Sequence, residues 1–384
     1  MNFMLYSHLN NNIIINNIRQ LCTHYTQEKY EETISRLLEE NIYNKLDGQL
    51  FKAYLCSLIS YDENPLSLLA EKQGKSIDKN LYKLALKDME EILRLFQCTV
   101  PFIEMGITSD PIYLFLESKP QKEQLLDYLL EHYYKHGAGI MGRYKAFKWD
   151  KNEGLYGIEN CDPIKLGELF DYDSQKELLR KNTVSFLENK PCNNVLLFGD
   201  RGTGKSSSVK ALLNEYHQRG LRLIELHKTD FVDFNKLLQC IRNRGLKFIL
   251  FLDDLSFEEF EIEYKYMKAV IEGAVEIKSD NVLIYATSNR RHLIRETWGD
   301  RSGEDVHVKD TREEKLSLSD RFGLTITYTS PNQEEYLNIV TQLAKKHNID
   351  LPLHIIRENA LKWSLLHAGK SGRVAKQFIA SLMQ

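Results

Sequence analysis

Apolar residues recur at helical spacing through the first part of the chain. The clearest case is the stretch 78–98, where apolar residues lie three or four positions apart and charged residues fill the positions between them. Similar spacing predicts helices over 28–42, 50–59 and 121–136. These helices carry no residue pattern typical of catalysis. We therefore predict a mainly helical N-terminal domain of unknown role over residues 1–150.

Short apolar strands alternate with helices in the second part of the chain. The run Lys247–Leu252 is apolar at almost every position, which is typical of a strand buried on both faces of a sheet. Such alternation favours a parallel sheet covered by helices, and after Pro331 only helical spacing remains. We therefore predict an α/β fold, with a parallel-sheet core over 151–330 and a helical lid over 331–384. The predicted strands are 195–198, 222–226, 247–252, 281–286 and 324–328.

A cluster of glycines separates the two parts. Gly137, Gly139 and Gly142 follow one another closely, and glycine permits backbone conformations that other residues avoid. Such a cluster is typical of a hinge or of a close passage of the backbone, or else of an ordinary interdomain loop, and these interpretations stand at this point.

The segment from Gly199 to Ser207 has the composition of a phosphate-binding loop. It follows an apolar strand and leads into a helix, which is the order that such loops require. Glycines let backbone N–H groups close around phosphate, and the positive end of the helix faces the same anion. A glycine-rich turn that binds nothing is the weaker alternative, because every fixed position of the motif is filled. We predict that Lys205 contacts the β- and γ-phosphates and that Ser206 ligates Mg²⁺. The predicted nucleotide-binding residues are Gly199, Asp200, Arg201, Gly202, Thr203, Gly204, Lys205, Ser206 and Ser207.

Polar residues follow the next two buried strands. Asp253 and Asp254 come directly after the strand at 247–252, and Asn289 follows the strand at 281–286. A carboxylate at a strand end beside a phosphate loop can hold Mg²⁺, and we assign this role to Asp253. We predict that Asp254 polarises the attacking water and that Asn289 helps to hold it. Alone, each of these strand ends is typical of a turn.

Together these motifs resemble those of the AAA+ ATPases over about residues 164–384. The phosphate loop is similar to their Walker A motif, 248–254 to Walker B, and 286–289 to the sensor 1 strand end. The resemblance implies an arginine finger at Arg321, within 318–323, and a sensor 2 residue at Arg373, within 369–373. It places the adenine pocket at 164–172. More narrowly, 193–207 and 253–258 resemble a bacterial AAA+ family known only as a domain of unknown function, a resemblance expected to reach into the N-terminal helices.

Two departures from the family pattern affect the expected chemistry. Most members carry glutamate after the Walker B aspartate, whereas this chain has the shorter Asp254, so slow hydrolysis or help from Glu258 is expected. The segment 300–315 is longer than usual at this point and contains ten charged residues. It is interpreted as a solvated loop in preference to a partner-docking element.

Composition and charge limit the kinds of partner and chemistry expected of the chain. The chain has 384 residues and a net charge of −3, so global charge gives no support to nucleic-acid binding. No apolar run reaches the length of a membrane span, and the N-terminus lacks the pattern of a signal peptide, so we expect a cytoplasmic protein that does not contact membranes. The six cysteines are scattered, which favours buried, reduced thiols over metal or redox chemistry.

The sequence therefore predicts an ATP-binding protein that hydrolyses ATP with Mg²⁺ as cofactor. A finger supplied by a neighbouring protomer implies a homo-oligomer, with a closed ring as the common outcome. The partner on which the energy acts is an unidentified protein or nucleic acid. The alternative is a nucleotide-gated switch, loader or scaffold with slow turnover. A small-molecule kinase is the third candidate, which the helical lid disfavours.

Overall fold

The computed structural model describes residues 2–255, 280–289, 321–367 and 369–383. The chain folds into two compact units, one formed by 1–144 with 244–246 and the other by 145–243 with 247–384. The three-domain division made from the sequence stays a prediction. Glu258 and the segment 300–315 lie outside the described residues.

Helices build the first unit. Helix α5 buries Ala85, Met89 and Ile92 on one face, as its apolar spacing predicts, and Asp78 caps its first turn. The glycine cluster at 137–142 leads into a short helix, α8. The elements of this unit are α1 (Ile13–Thr23), α2 (Gln27–Asn44), α3 (Leu50–Ser60), α4 (Pro65–Gln73), α5 (Lys79–Phe96), α6 (Pro111–Glu117), α7 (Lys122–His136) and α8 (Ile140–Arg143), with β1 (Gly48–Gln49) antiparallel to β2 (Glu104–Met105).

A buried ion pair holds residues 244–246 within the first unit. The Arg244 guanidinium donates hydrogen bonds to both carboxylate oxygens of Glu71, at 2.8 and 2.6 Å. Glu71 is 2 % exposed and also accepts the backbone N–H groups of Ala138 and Gly245. Because each oxygen has a donor, the buried carboxylate is fully compensated.

The expectation that all six cysteines are reduced is wrong for two of them, and the expectation that they are buried holds among the free ones only for Cys56. Cys22 and Cys98 form a disulfide bond with a Cα–Cα distance of 6.3 Å. Cys56 is buried and free, as expected, while the free Cys240 is exposed. Sequence spacing could not predict the bond, because Cys22 and Cys98 lie 76 residues apart, one in the last turn of α1 and the other two residues after the end of α5.

Reduction of this disulfide is expected to destabilise the first unit. The bond closes a loop of 76 residues; by chain entropy, closing a loop of that size stabilises the folded state by about 4 kcal/mol. Denaturant unfolding with and without reductant measures this difference. The double variant Cys22→Ser/Cys98→Ser is the control and should match the reduced protein. Six titratable thiols in the unreduced, denatured chain, instead of four, would contradict the bond.

A seven-stranded sheet forms the centre of the second unit, in the order β4-β3-β6-β7-β8-β5-β9. All neighbouring strands are parallel except β3 and β4, which confirms the predicted α/β fold with a parallel sheet. The strands are β3 (Ala146–Asp150), β4 (Gly154–Gly157), β5 (Val195–Gly199), β6 (Leu221–Leu226), β7 (Lys247–Leu252), β8 (Val282–Ser288) and β9 (Leu324–Tyr328). Helices α9 (Asp173–Leu187), α10 (Lys205–Tyr216) and α11 (Phe234–Ile241) accompany them.

The hairpin of β3 and β4 was not predicted from the sequence. Its alternation covers only a few residues, and Asp150 makes the turn by accepting the backbone N–H groups of Asn152 and Glu153. Pairing with β6 in the parallel direction supplies the remaining stabilisation. A pairing between segments that lie far apart in the sequence produces no local residue pattern from which it could be predicted.

Three helices form the lid. They are α12 (Gln333–Lys346), α13 (Leu353–Leu366) and α14 (Gly372–Leu382), and they share a core that includes Tyr336, Val340 and Phe378. Asn332 and Glu335 cap α12 reciprocally. At the start of α14 the side chain of Ser371 accepts the backbone N–H of Val374. Ser371 also lies next to Gly202, so α14 begins beside the phosphate loop.

Among the described helices, none combines the length and the apolar character needed to cross a bilayer.

Candidate nucleotide-binding site

The loop between β5 and α10 depends on glycine for its close approach to neighbouring backbone. Gly199 has a φ of +132°, and a Cβ on it would lie 1.9 Å from the carbonyl oxygen of Tyr328 on β9. A Cβ on Gly202, whose φ is +76°, would lie 2.9 Å from the hydroxyl of Ser371 at the start of α14. These glycines therefore let the loop pass between a strand and the lid.

Lys205 begins α10 and turns its ammonium group back toward the loop. The group donates to the carbonyl oxygens of Gly199 at 2.8 Å and Asp200 at 2.6 Å. It also donates to Oδ1 of Asn289 at 3.2 Å. Lys205 is 6 % exposed, and this burial lowers the pKa of its ammonium group. A positive charge is thus held where the loop would surround a phosphate.

Ser206 and Asp253 form a pair of oxygen ligands suited to Mg²⁺. The Ser206 hydroxyl donates to Oδ1 of Asp253 at 2.5 Å. Hydroxyl and carboxylate oxygens are the ligands that Mg²⁺ prefers, and this ion usually completes its shell with water and phosphate. Among the described residues there is no group of three or more His, Cys, Asp or Glu side chains that could hold a metal by itself. The donor set therefore fits a magnesium ion that arrives with a nucleotide.

Asp254 lies next to this pair in an unusual backbone conformation. Its φ is +53°, a region that non-glycine residues seldom adopt. Its backbone N–H donates to the hydroxyl of Thr287 at 2.9 Å, and its carboxylate accepts a hydrogen bond from the side-chain amide of Asn289. Asn289 therefore bridges Lys205 and Asp254 through the two ends of one amide.

These side chains open on a single cavity of about 670 Å³ in the second unit. This volume is typical of small-ligand pockets. Of the residues predicted from the sequence, the cavity brings together Arg201, Gly202, Thr203, Gly204, Lys205, Ser206, Ser207, Asp253, Asp254, Asn289 and Arg373. Arg373 reaches it because its backbone N–H lies 3.3 Å from the carbonyl oxygen of Gly202.

Three predicted residues do not line the cavity. Gly199 and Asp200 belong to the loop without lining the cavity. Hydrogen bonds from the side chain and the backbone N–H of Ser330 lower the pKa of the Asp200 carboxyl group. Arg321 precedes β9, whose first residue, Leu324, pairs with the first residue of β5. The phosphate loop follows the last residue of β5. Arg321 therefore lies toward the opposite edge of the sheet.

Apolar side chains also line the cavity, and some of them belong to the lid. Residues of the 164–172 segment, including Leu169 and Phe170, line it together with Ile339 and Leu343 of α12. Asp171 and Tyr172 have φ values of +72° and +61°, and the Tyr172 hydroxyl donates to the carbonyl oxygen of Thr329. Apolar lining residues together with a polar loop suit a ligand with an aromatic base and a phosphate chain.

Several lining residues were missed in the sequence. Lys376 and Gln377 on α14 line the cavity one helical turn after Arg373, and this spacing is the signal that could have identified them. Lys176 on α9 and Thr287 on β8 also line it. For Lys176 no local motif exists. Thr287 lies within the predicted 286–289 strand end, although only Asn289 was assigned a role.

The parallel sheet carries a phosphate loop after β5, acidic residues after β7 and a polar residue after β8, and the lid returns to the loop. This arrangement defines an AAA+ member of the P-loop NTPases. The particular family follows from the family model that matches residues 142–384, more than half of the chain. The chain belongs to the family described as "Protein of unknown function (DUF815)". Residues 1–141 lie outside the match, contrary to the expected extension into the N-terminal helices.

Curated relatives include two archaeal proteins. The chain is 37% identical over 70 residues to the replication factor C large subunit of Staphylothermus marinus, covering 18% of this chain and 16% of that protein. It is 25% identical over 221 residues to the same subunit of Pyrococcus horikoshii, covering 54% of this chain and 40% of that protein. The chain thus spans less than half the length of either relative.

Among solved structures, the chain is similar to RuvB of Thermotoga maritima. The Holliday junction branch migration motor shows 13% identity and a TM-score of 0.34, over 56% of this chain and 71% of that one. A mutant of RuvB from the same organism shows 16% identity and a TM-score of 0.40, over 56% and 64%.

Proposed function

We propose that the chain binds ATP with Mg²⁺ and hydrolyses it to ADP and phosphate. One observation supports hydrolysis above all: a continuous set of hydrogen bonds joins Lys205, Asn289 and Asp254 at the cavity wall. These bonds hold a cation that can contact phosphate within reach of one γ-phosphate. They also hold there an amide and a carboxylate that can orient water. Catalysis would consist of positioning and charge stabilisation, with no covalent intermediate.

Each residue of the site has a proposed role in this reaction. The loop N–H groups and Lys205 hold the phosphate chain. Ser206 and Asp253 would hold Mg²⁺, which when bound would supply positive charge to stabilise the charge on the phosphates. Asp254 orients the attacking water and takes its proton as the bond between the β- and γ-phosphates breaks. Asn289 keeps Asp254 in place, and Arg373 contacts the phosphates from the lid.

We further propose that protomers associate head to tail, with Arg321 reaching the γ-phosphate of a neighbour. The position of Arg321 toward the edge of the sheet opposite the phosphate loop supports a contact in trans. A ring is the closed form of such an assembly. The turnover would act on a macromolecular partner, either a protein or a nucleic acid. Location in the cytoplasm stays a prediction.

A slow nucleotide-gated switch is the second candidate. Asp254 favours it, because its side chain is shorter than the glutamate usual at this position and its carboxylate is already bonded to Asn289. In that case ATP would close the lid through Arg373 and turnover would be incidental. Phosphate release per protomer, measured over time, separates the two functions.

Asp254→Asn is expected to bind Mg-ATP with nearly unchanged affinity and to hydrolyse it about 100-fold more slowly, since a general base contributes roughly 10²–10⁴-fold. Asparagine tolerates the positive φ, so the fold should persist. Phosphate release and binding of a fluorescent ATP analogue are the two measurements. Asp350→Asn, an exposed acid in the loop between α12 and α13, is the matched control. Turnover equal to that of the unaltered protein would remove Asp254 from the mechanism.

A further inference from the structure

We propose that Thr287 is a positioning residue of the nucleotide site, which fixes Asp253 for metal binding and sets the backbone of Asp254. This inference rests on the proposed function and concerns how the magnesium ligand is kept in place. Thr287 is 1 % exposed and lies near the end of β8. In the register of β7 and β8, Leu252 pairs with Ala286, so Thr287 stands directly beside Asp253.

Three hydrogen bonds tie Thr287 to three successive residues. Its hydroxyl donates to Oδ1 of Asp253 at 2.6 Å and accepts the backbone N–H of Asp254 at 2.9 Å. Its carbonyl oxygen accepts the backbone N–H of Leu255 at 2.7 Å. The single hydroxyl proton is committed to Asp253, so the lone pair of the same oxygen is the acceptor for Asp254. One side chain thereby controls both acids.

The bond to Asp253 determines which carboxylate oxygen is available to a metal. Oδ1 already accepts from both Ser206 and Thr287, so the carboxylate plane is fixed from two sides. Magnesium requires near-octahedral geometry and responds strongly to a misplaced ligand. Groups that orient a metal ligand through hydrogen bonds matter almost as much as the ligand itself.

The bond to Asp254 stabilises a backbone conformation that would otherwise be disfavoured. A positive φ at a residue with a side chain persists only when its surroundings hold it, and the Thr287 hydroxyl receives the N–H of that residue. Without the hydroxyl, this N–H loses its partner at the base of the site. Asp254 would then lose the orientation in which Asn289 contacts it.

The test compares Thr287→Val, which keeps the shape and removes the hydroxyl, with Thr287→Ser, which keeps the hydroxyl. For Thr287→Val we expect the Mg²⁺ concentration for half-maximal turnover to rise about 10–100-fold, the range found when a partner of a metal ligand is removed. Nucleotide affinity measured in EDTA should stay within about threefold, because the Thr287 hydroxyl bonds to Asp253 and Asp254, which have no predicted contact with phosphate in the absence of metal. Thr287→Ser should show the Mg²⁺ requirement of the unaltered protein. Thr341→Val, in which a buried threonine of α12 loses a hydroxyl that donates to Leu337, is the matched control.

A further measurement and a further variant distinguish failure of the positioning role from failure of the proposed function or of folding. Mg²⁺-dependent binding of an ATP analogue tests Thr287 even if the unaltered protein proves not to hydrolyse ATP, a result that would overturn the proposed function alone. Should Thr287→Val fail to fold, Thr287→Cys replaces it, and its weaker donor should give an intermediate Mg²⁺ requirement. The positioning role is overturned if Thr287→Val or Thr287→Cys shows the Mg²⁺ requirement of the unaltered protein. It is also overturned if Thr341→Val raises that requirement equally.

Discussion

Lys205→Ala is expected to abolish ATP binding while leaving the protein folded. Among the described residues, the Lys205 ammonium donates to the loop carbonyls of Gly199 and Asp200 and to Asn289, and these contacts lie outside the apolar core. Loss of a buried, hydrogen-bonded charge at a binding site weakens binding by at least about 100-fold. Titration calorimetry with ATP measures the affinity, and thermal unfolding without nucleotide measures the stability.

Lys210→Ala is the matched control for Lys205→Ala. Lys210 belongs to the same helix, α10, and does not line the cavity. This variant should bind ATP like the unaltered protein, which separates the loss of one particular ammonium group from the loss of any lysine in α10. If Lys205→Ala bound ATP with unchanged affinity, the phosphate site would have to be sought elsewhere.

Arg321→Ala is expected to bind ATP almost normally and to hydrolyse it poorly. Arg321 does not line the cavity of its own protomer, so its removal should leave binding intact. An arginine finger supplied to a neighbour is worth roughly 10³–10⁵ in rate in GTPases, and the short Asp254 makes a smaller effect, about 10-fold or more, the expectation here. Steady-state phosphate release and binding of a fluorescent ATP analogue test this.

Mixing the two impaired variants tests the contact in trans. Lys205→Ala keeps its finger but has no working site, whereas Arg321→Ala keeps its site but has no finger. Hybrid interfaces should therefore regain part of the activity, and turnover of the unaltered protein should rise faster than linearly with concentration while assembly is incomplete. Activity strictly proportional to concentration in a monomeric range, with no recovery on mixing, would exclude a finger in trans and favour the monomeric switch.

The elements that carry the site could be predicted because their signals are local. Strand β9 spans Leu324–Tyr328, as its apolar pattern predicted, and Lys205 begins α10 directly after the glycine-rich turn. The three helices of the lid also lie within 331–384, where only helical spacing was found. Each signal lies within a few residues, so hydrophobic period and turn chemistry suffice. The hairpin of β3 and β4 was missed because its pairing with β6 joins distant segments.

By itself the sequence determined the α/β class, the position of the phosphate loop and the kinds of side chain beside it, since parallel strands bring their carboxyl ends to one edge. Only the tertiary structure decided how these groups pair. Ser206 and Asp253 meet across 47 positions, and Thr287 meets Asp253 across 34. Tertiary structure also brought Cys22 to Cys98 and placed Arg321 away from its own cavity. Hydrogen bonds of this kind depend on ångström-level register between strands, which residue spacing along the chain does not encode.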